Sequence, residues 1–390
     1  MDILIAGGGP AGLMTALALA RRGIRSTVLE ARSAPTDIGE SRAITWMPRA
    51  IEVAEASGFR EDLERVALHR YVHSFTDKRG RLLAVVHFDH LDSPFPYTLQ
   101  IPQGESERIL ERVALGTGLV DLRRGFSIEA IDSGSVGVSA TGRHGGDTVT
   151  VHGDLGVAAD GARSVVRAQL GIPTTKRDYG ASSVVADFIG TSGLPPTQSQ
   201  IVLDTRRPRG LFPIGEGRWR LVYRVNGGED RGRAASPDQA SRILDSFPGA
   251  RAAEWTWTSA FRLAQQKAST YLQGAWVLVG DAAHPMGPSA GAGMMLGVLG
   301  AWRAAWAISR VQEDAGSLSA YVDEQRASAV RVQSSNATIF RHIALRNGVL
   351  GAVRAGAMPV AARLTSLEAA MARQESLVDE PLPDLPPAAT

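Results

Sequence analysis

The first 30 residues alternate between apolar and glycine-rich stretches in a way that is typical of a β-α-β unit. Residues 2–6 (DILIA) form a short apolar run, and residues 7–12 (GGGPAG) form a turn. The following LMTALALARRG is rich in helix formers and ends at Gly23, and STVLE at 26–30 is apolar again. These patterns predict a strand, a helix and a second strand in that order.

Further along the chain, the pattern predicts two alternating groups of elements. Pro48 stands at a favoured first-turn position of a helix, and IGEG at 214–217 has the composition of a hairpin turn. In chain order, the predicted elements are a helix at 48–70, strands at 71–102, a helix at 105–115, a β-meander at 126–160, strands at 180–262, a strand at 275–281 and helices to about residue 375. The strand-rich stretches therefore interrupt the α/β stretches.

The turn at residues 7–12 fits the pattern G-x-G-x-x-G at Gly7, Gly9 and Gly12. In that pattern the first glycine permits a tight turn, the second lets a pyrophosphate approach the backbone, and the third lets the helix pack against the strand. Glu30 ends the second strand, where a carboxylate can bind the hydroxyls of a ribose. The alternative, a structural glycine turn with a solvated Glu30, is disfavoured by the strand-helix-strand context. The predicted dinucleotide site also includes Pro10, Ala11 and Ala31.

The order of the elements predicts an α/β fold with a discontinuous nucleotide-binding domain and an inserted, mostly antiparallel β-sheet domain that faces the substrate. Helices and a disordered, proline-rich tail are expected to follow. The expected boundaries are 1–70, 100–175 and 270–330 for the nucleotide-binding domain, 71–99 and 176–269 for the substrate domain, 331–375 for the helices and 376–390 for the tail.

A second glycine-rich turn indicates which dinucleotide is bound. Asp281 follows the apolar run VLVG at 277–280, and GPSAGAG at 287–293 opens a helix. An aspartate in this position can accept hydrogen bonds from a sugar-like chain, and the helix N-terminus can stabilise negative charge on a nearby ring. A flavin needs both, for its ribityl chain and for the ring edge that becomes negative on reduction. The sequence therefore predicts FAD as the cofactor.

Together with the middle segment AADGARSVVR at 158–167, these motifs resemble, in order and spacing, the single-component FAD-dependent aromatic hydroxylases, the family of p-hydroxybenzoate and salicylate hydroxylases. The resemblance covers the chain to about residue 375. It implies that Asp160 and Gly161 serve both the flavin and the nicotinamide nucleotide. The other contacts that it implies are Arg42 near the pyrophosphate, Gln103 on the flavin, Asp281 of the Gly280-Asp281 pair on the ribityl chain, Pro288 at the reactive flavin edge, and the backbone of Gly291, Ala292, Gly293, Met294 and Met295 on the flavin ring.

Three positions depart from the family pattern. Met295 stands where many members have asparagine, Gly300 where an acidic residue is common, and Gln266 where an arginine is common. Because the family contact at Met295 is largely through the backbone N–H, flavin binding is expected to survive. The other two departures put local packing and the nicotinamide contacts in doubt.

The resemblance implies a Rossmann-like FAD-binding domain of the glutathione-reductase-like type and a monooxygenase activity. In that activity NADPH or NADH, bound transiently without a Rossmann domain of its own, reduces FAD. O2 then forms a flavin C4a-hydroperoxide that hydroxylates an aromatic or similarly electron-rich small molecule, of one ring or polycyclic. Epoxidation, oxidative decarboxylation, isoprenoid reduction and flavin binding without turnover remain open, because fold and cofactor motifs do not fix the chemistry.

Candidate substrate contacts lie on the predicted strand RWRLVYRV at 218–225. Strand alternation places Arg220 and Arg224 on one face and Tyr223 on the other. A cavity-facing arginine could bind a substrate carboxylate or phenolate, whereas the favoured interpretation is a solvated sheet face. Four aromatic residues could either line a substrate pocket or pack in the core, and the core is favoured for each of them: Trp46, Phe212, Trp255 and Trp257.

No metal site is predicted. Four histidines fall in one strand-rich region, but they lack the spacing of a metal motif, so surface or core packing is favoured for His69, His73, His87 and His90. His284 follows the second glycine-rich turn and is expected to be structural.

Composition narrows the classes of partner. With 42 basic and 40 acidic residues among 390, the formal charge of +2 leaves little field to attract nucleic acid or an anionic membrane. The sequence contains no cysteine, so redox activity must come from a cofactor. The chain begins Met-Asp and holds no apolar run of membrane-spanning length, from which we expect a cytoplasmic protein. For its assembly, both a monomer and a homodimer are open.

Overall fold

The computed structural model describes residues 1–37, 39, 43–134, 137–215, 217–287, 291–343 and 365–385. Arg42 and Pro288, two of the predicted flavin contacts, lie outside these described residues.

The described chain is a mixed α/β structure. Its strands are β1 (Asp2–Ala6), β2 (Arg25–Glu30), β3 (Thr45–Trp46), β4 (Leu68–Arg70), β5 (Val72–Asp77), β6 (Leu82–His87), β7 (Thr98–Gln100), β8 (Val120–Arg124), β9 (Ser127–Ser133), β10 (Val138–His144), β11 (Asp147–Gly153), β12 (Leu155–Ala158), β13 (Thr174–Ser192), β14 (Gln198–Leu203), β15 (Arg209–Gly215), β16 (Arg218–Arg224), β17 (Ala250–Ala268), β18 (Leu272–Gln273) and β19 (Trp276–Leu278).

The helices of the described chain lie between and after these strands in the sequence. They are α1 (Pro10–Ala20), α2 (Pro48–Ala56), α3 (Arg60–Glu64), α4 (Gln103–Leu115), α5 (Val165–Gln169), α6 (Arg231–Ala234), α7 (Pro237–Leu244), α8 (Ala292–Arg310), α9 (Ser317–Ile343) and α10 (Thr365–Ser376). Within the described part of the chain, none of the helices combines the length and the apolar character that crossing a bilayer requires.

A six-stranded sheet of order β18-β19-β12-β1-β2-β8 carries the glycine-rich turns. Its central strand β1 pairs in parallel with β2 and with β12, and β12 pairs in parallel with β19. Ile3, Leu4 and Ile5 of β1 are at most 1% exposed, because β1 is covered by α1 and by β11, and a strand buried on both faces is a continuous apolar run. The carboxyl ends of these strands therefore meet at one edge, where three distant segments of the sequence come together.

A seven-stranded sheet of order β17-β13-β16-β15-β14-β5-β6 forms the second large layer. Its pairs are antiparallel except for β14 and β5, which run in parallel. One face packs Phe188, Leu221 and Tyr223 into a separate apolar core. Because side chains alternate along a strand, the neighbouring residues Asp187 and Arg220 belong to the opposite face.

The predicted helix at 48–70 is divided into α2, α3 and β4. Gly58 lies just beyond α2 with φ of +74°. The backbone N–H of Phe59 donates to the carbonyl of Ala54, which is the hydrogen bond of a Schellman motif. A glycine in the left-handed region thus ends the helix that apolar spacing alone would have continued.

The structure also differs from the expected disordered tail. Residues 376–385 pack against α8 and α9, and Leu377 and Glu380 are buried. The indole of Trp302 donates to the carbonyl of Pro383 at 2.9 Å, and Arg303 donates to the carbonyl of Pro381 at 2.8 Å. Prolines prevent a helix here but leave carbonyl oxygens free to accept these bonds. The expected boundary at 330/331 falls within α9, and residues 386–390 lie outside the described residues.

Candidate active site

A cavity of about 910 Å³ lies between the carboxyl edge of the six-stranded sheet and the seven-stranded sheet. Its wall includes Gly9, Glu30, Asp160 and Asp281, which come from all three predicted motifs. The opposite wall includes Phe212 and other side chains of the seven-stranded sheet. The fold therefore brings the three motifs to one cavity that extends to the second sheet.

The three glycines of the first turn have different structural roles. Gly7 has φ of +100°, and a Cβ atom there would lie 2.4 Å from the carbonyl oxygen of Ala159. A Cβ on Gly12 would lie 1.9 Å from the carbonyl oxygen of Gly7. A Cβ on Gly9 would meet no described atom within 4 Å, and Gly9 lines the cavity. Gly7 and Gly12 are thus required by the fold itself, whereas Gly9 keeps space open at the N-terminus of α1, where an anion is favoured.

Glu30 is held at the cavity wall by two backbone donors. Its Oε2 atom accepts from the N–H of Gly8 at 2.6 Å, and its Oε1 atom accepts from the N–H of Arg32 at 2.8 Å. A carboxylate oxygen can accept more than one hydrogen bond, so both oxygens retain capacity for ribose hydroxyls. The position of Glu30 fits the role that the sequence predicts.

Asp160 presents a polar atom that the described protein does not satisfy. Its Oδ2 atom accepts from the N–H of Val166 at 3.0 Å, whereas its buried Oδ1 atom has no hydrogen-bond partner among the described residues. Burial raises the pKa of Asp160 above its ordinary value. A buried acceptor of this kind in a cavity wall fits a ligand that donates a hydrogen bond.

The middle and last motifs are connected by Arg167. Its guanidinium donates to the carbonyl of Ala282 at 2.8 Å and to the carbonyl of Ala162 at 3.0 Å. Gly280 has φ of +62°, and a Cβ there would lie 2.8 Å from the Cβ of Ala11. The loop of Asp281 is therefore fixed against both other motifs, and the exposed side of Asp281 contributes to the cavity wall.

Most of the remaining predicted cofactor residues also line the cavity. Gln103 is oriented by donating to Glu107 at 2.8 Å and accepting from the N–H of Ala43 at 3.3 Å. Gly12, Ala292 and Met295 are not part of the cavity wall, because Gly12 packs against Gly7 and Ala159, and Ala292 and Met295 are buried in α8. The other predicted residues in the wall are Gly7, Pro10, Ala11, Ala31, Gly161, Gly280, Gly291, Gly293 and Met294.

The departure at Gly300 has a packing explanation. A Cβ there would lie 2.8 Å from the side-chain nitrogen of Gln325. Gln325 uses this space to bridge Nε2 of His284 at 3.0 Å and the guanidinium of Arg303 at 2.6 Å. His284 is 1% exposed and is not in the cavity wall, in keeping with a structural role.

Stability should fall in mild acid because of His284. Burial lowers the pKa of His284 to about 4, so the unfolded chain takes up its proton first as the pH falls. This contribution to stability is fully present above the unfolded pKa near 6.5 and is lost toward pH 4, about 3 kcal/mol in all. Denaturant unfolding at pH 7 and at pH 4.5 should show a smaller loss for His284→Gln than for the wild type. Equal losses would contradict the assignment.

The two candidate arginines are buried, so the solvated-face interpretation is wrong. Arg220 is 3% exposed and forms a two-pronged ion pair with Asp187, with N–O distances of 2.7 and 2.8 Å. Arg224 is 5% exposed and, like Arg220, lines the cavity. The hydroxyl of Tyr223 donates to the carbonyl of Ala234 on the opposite face at 2.6 Å, as alternation predicts. A solvated face was favoured because the sequence does not reveal the partner strand that supplies Asp187.

The four aromatic residues divide between core and cavity. Trp46 is fully buried and donates to Ser106 at 2.9 Å, and Trp255 packs against Phe188. Trp257 lies beneath the guanidinium of Arg220, 5.8 Å from ring centre to carbon. Phe212 lines the cavity, which is the less favoured of the two positions that the sequence leaves open for it.

Sequence reasoning missed the polar group at the second-sheet side of the cavity. Arg70, His73 and Glu375 line the wall there, and Glu375 belongs to α10, about 300 positions away in the chain. No local motif marks these residues. Elsewhere on the surface, ligand atoms of His87, Asp89 and His90 approach within 4.8 Å of one another, and the absence of a metal stays a prediction.

The comparisons with known proteins agree with the motifs. A sequence model of the FAD binding domain family matches residues 1–335. The 6-methylpretetramide 4-monooxygenase of Streptomyces rimosus is 32% identical over 378 residues, which cover 92% of this chain and 64% of that protein. The para-nitrophenol 4-monooxygenase of Pseudomonas sp. strain WBC-3 is 28% identical over 352 residues, which cover 86% of this chain and 85% of that protein.

Among solved structures, the p-nitrophenol 4-monooxygenase of Pseudomonas putida DLL-E4 has the same fold, with a TM-score of 0.88 and 22% identity, over 96% of this chain and 98% of that one. The chain spans less than two thirds of the length of the 6-methylpretetramide 4-monooxygenase. The match over residues 1–335 nevertheless includes every motif described above. The chain therefore belongs to the FAD binding domain family, and its predicted membership of the FAD-dependent aromatic hydroxylases is confirmed.

Proposed function

We propose that the protein is an FAD-dependent monooxygenase that uses NADPH or NADH and O2 to hydroxylate a small aromatic or polycyclic molecule. The observation that carries the proposal is the single cavity of about 910 Å³, with the dinucleotide motifs on one wall and Phe212, Arg220 and Arg224 on the other. This arrangement supports a flavin and a substrate side by side in one cavity.

The residues at the motif wall fit FAD. Gly9 leaves room for the pyrophosphate at the N-terminus of α1, and Glu30 offers two oxygens to the ribose. Asp160 offers its unsatisfied Oδ1 atom, and Asp281 faces the same cavity. We include Arg42 and Pro288 in this site on the resemblance alone. Bound FAD would supply the redox chemistry by taking electrons from the nicotinamide nucleotide and delivering them to O2.

We also propose the finer division of the fold. The six-stranded sheet would form a FAD-binding domain of the glutathione-reductase-like type, assembled from residues 1–70, 100–175 and 270–330. Residues 71–99 and 176–269 would form the substrate domain, which is consistent with the seven-stranded sheet that β5 and β6 share with β13–β17. The work of the chain's own residues is then to hold, orient and enclose both ligands.

Turnover tests the proposal directly. Purified protein is mixed with FAD, NADPH or NADH and air, and loss of the nicotinamide absorbance is followed with and without candidate aromatics. A substrate should accelerate flavin reduction, and the product should gain one oxygen atom by mass spectrometry. Loss of carbon dioxide from the product would instead indicate oxidative decarboxylation. A bound flavin that neither NADH nor NADPH can reduce would contradict the proposal and favour flavin binding without turnover.

A further inference from the structure

A cluster of three polar side chains occupies the cavity wall formed by the second sheet. Arg70 ends β4, His73 lies on β5, and Glu375 extends from α10. The Nδ1 atom of His73 is 3.4 Å from Oε2 of Glu375 and 3.3 Å from Nη1 of Arg70. None of these residues belongs to the dinucleotide motifs, so the cluster is available to the substrate half of the cavity.

Arg70 supplies a fixed positive charge. It is 5% exposed, and it donates to Thr98 Oγ1 at 2.9 Å and to Ser199 Oγ at 2.8 Å. Burial lowers the pKa of Arg70 to about 10, which still leaves the guanidinium charged near neutral pH. Its position is therefore set by neutral hydroxyls and not by a carboxylate within hydrogen-bond distance.

Glu375 supplies the balancing negative charge. Burial opposes ionisation, but His73 and Arg70 outweigh it and lower the pKa of Glu375 below its ordinary value. Glu375 also borders a second cavity of about 360 Å³ between α8, α9 and α10. The charged residues on that side are paired elsewhere, Arg373 with Asp379 and Arg331 with Glu380. Arg70 and His73 are thus the groups that determine the electrostatic environment of the Glu375 carboxylate.

His73 orients the carboxylate. Its ring stacks on Phe75 at 4.9 Å and meets the edge of Phe212 at 5.9 Å, which fixes its plane. Because a carboxylate is a stronger acceptor than a neutral group, we assign the Nδ1 proton of His73 to the bond with Glu375, and Nη1 of Arg70 keeps its bond to Ser199. One donor leaves most of the acceptor capacity of the two carboxylate oxygens unused.

We propose that Glu375 is a substrate-positioning residue that accepts a hydrogen bond from a hydroxyl group on the aromatic ring, which makes neutral phenols the preferred substrate class. The inference rests on the proposed function and deepens it. The positive charge of Arg70 and the negative charge of Glu375 cancel. The cluster therefore favours a neutral ligand that donates a hydrogen bond over an anionic ligand. A phenol that donates to a carboxylate also becomes richer in electrons on its ring, which suits attack by an electrophilic oxygen.

Ligand ionisation tests this without turnover. The probes are 4-nitrophenol and the polycyclic hydroxyanthraquinone alizarin, whose protonated and ionised forms differ in colour, and 4-nitrobenzoate serves as the anionic competitor. Difference spectra of the oxidised, FAD-loaded enzyme report the form that binds. At a pH at which half of the free phenol is ionised, the bound phenol should remain protonated, and 4-nitrobenzoate should bind at least about tenfold more weakly than 4-nitrophenol.

Glu375→Gln should invert this preference. With the carboxylate neutralised, Arg70 is left to favour an anion, so the bound phenol should ionise at least about tenfold more readily and 4-nitrobenzoate should bind more tightly than in the wild type. Glu375→Asp, which keeps the charge, should restore the preference for the protonated form. The matched control is Glu368→Gln on the same helix, because Glu368 contacts His90 and the backbone of His87 away from the cavity.

Several results would overturn the inference. One is a bound phenol that is fully ionised in the wild type, which would indicate Arg224 or another cation as the anchor. Another is a Glu375→Gln variant in which the ionisation of the bound phenol and the affinity for 4-nitrobenzoate both stay within twofold of the wild type. Failure of both phenols to bind the wild type also overturns it, and the wild-type measurements decide the matter even if the variant does not take up FAD. Failure of the proposed function is separate, because it appears as an unreduced flavin while phenol binding persists.

Discussion

Gly9→Ala should weaken FAD binding by about 10- to 100-fold, or about 1.4–2.8 kcal/mol, without destabilising the protein. A Cβ at Gly9 meets no described protein atom within 4 Å, and the backbone there is extended, with φ of −78°, so alanine fits the ligand-free chain. The same methyl group would project into the space at the N-terminus of α1 that the pyrophosphate needs. Calorimetric titration of FAD into apoprotein, together with melting temperatures without FAD, measures both quantities.

Gly12→Ala is the matched comparison, because it adds the same methyl group three residues away. Its Cβ would lie 1.9 Å from the carbonyl oxygen of Gly7, and two backbone segments cannot move apart there without disturbing the packing of α1 on β1. Its melting temperature should therefore fall even in the absence of FAD. If Gly9→Ala bound FAD as tightly as the wild type, or lost as much stability as Gly12→Ala, the division of roles between these glycines would be wrong.

The dinucleotide side of the cavity could be predicted because its signals are local. Gly7, Gly9 and Gly12 stand within six positions of one another, and Glu30 follows at the end of the next strand. The strand-helix-strand pattern then places them at one sheet edge, since parallel strands that flank a helix end on the same side. Asp281 was identified by the same reasoning from the strand that precedes it.

The substrate side could not be predicted because its contacts depend on strand register and on distant segments. Asp187 meets Arg220 only because β13 and β16 pair in the register that places these residues opposite each other. Glu375 reaches His73 across about 300 positions of sequence, and nothing near either residue indicates the partner. The end of α2 could have been predicted from the sequence, since Gly58 is a glycine and glycine commonly ends a helix.

The ordered C-terminal segment was missed for a different reason. Proline content indicates that a segment cannot form a helix, but it does not indicate whether its carbonyl oxygens find donors. Here Trp302 and Arg303 on α8 supply those donors. The sequence shows the donor side chains and the proline-rich segment, but only the fold brings them within hydrogen-bond distance.

Glu380→Gln should lower the free energy of unfolding by about 3–5 kcal/mol, because it leaves a buried guanidinium without its carboxylate. Arg303 is 2% exposed and Glu380 6% exposed, with an N–O distance of 3.2 Å. Glu380 also accepts from Ser328 at 2.5 Å and from Arg331 at 2.8 Å. Denaturant unfolding at pH 7 gives the loss directly, and limited proteolysis should show earlier cleavage near residue 380 in the variant.

The effect should depend on pH with a definite sign. Burial opposes ionisation of Glu380, but Arg331, Ser328 and Arg303 lower its pKa below the ordinary value. A carboxylate with a lowered pKa in the folded state adds stability above its unfolded pKa of about 4.3, and this stability is lost as the pH falls through the folded pKa. The difference between the wild type and Glu380→Gln should therefore be largest near neutral pH and should shrink in acid.

Glu324→Gln is the control that distinguishes the loss of a buried carboxylate from the loss of an exposed one. Glu324 also pairs with Arg331 at 2.8 Å, but its side chain is 39% exposed. An exposed ion pair contributes about 0.2–1 kcal/mol, so this variant should stay within about 1 kcal/mol of the wild type. If the two variants lost equal stability, or if the loss in Glu380→Gln did not diminish in acid, the buried Arg303–Glu380 pair would not be what holds residues 376–385 against α8.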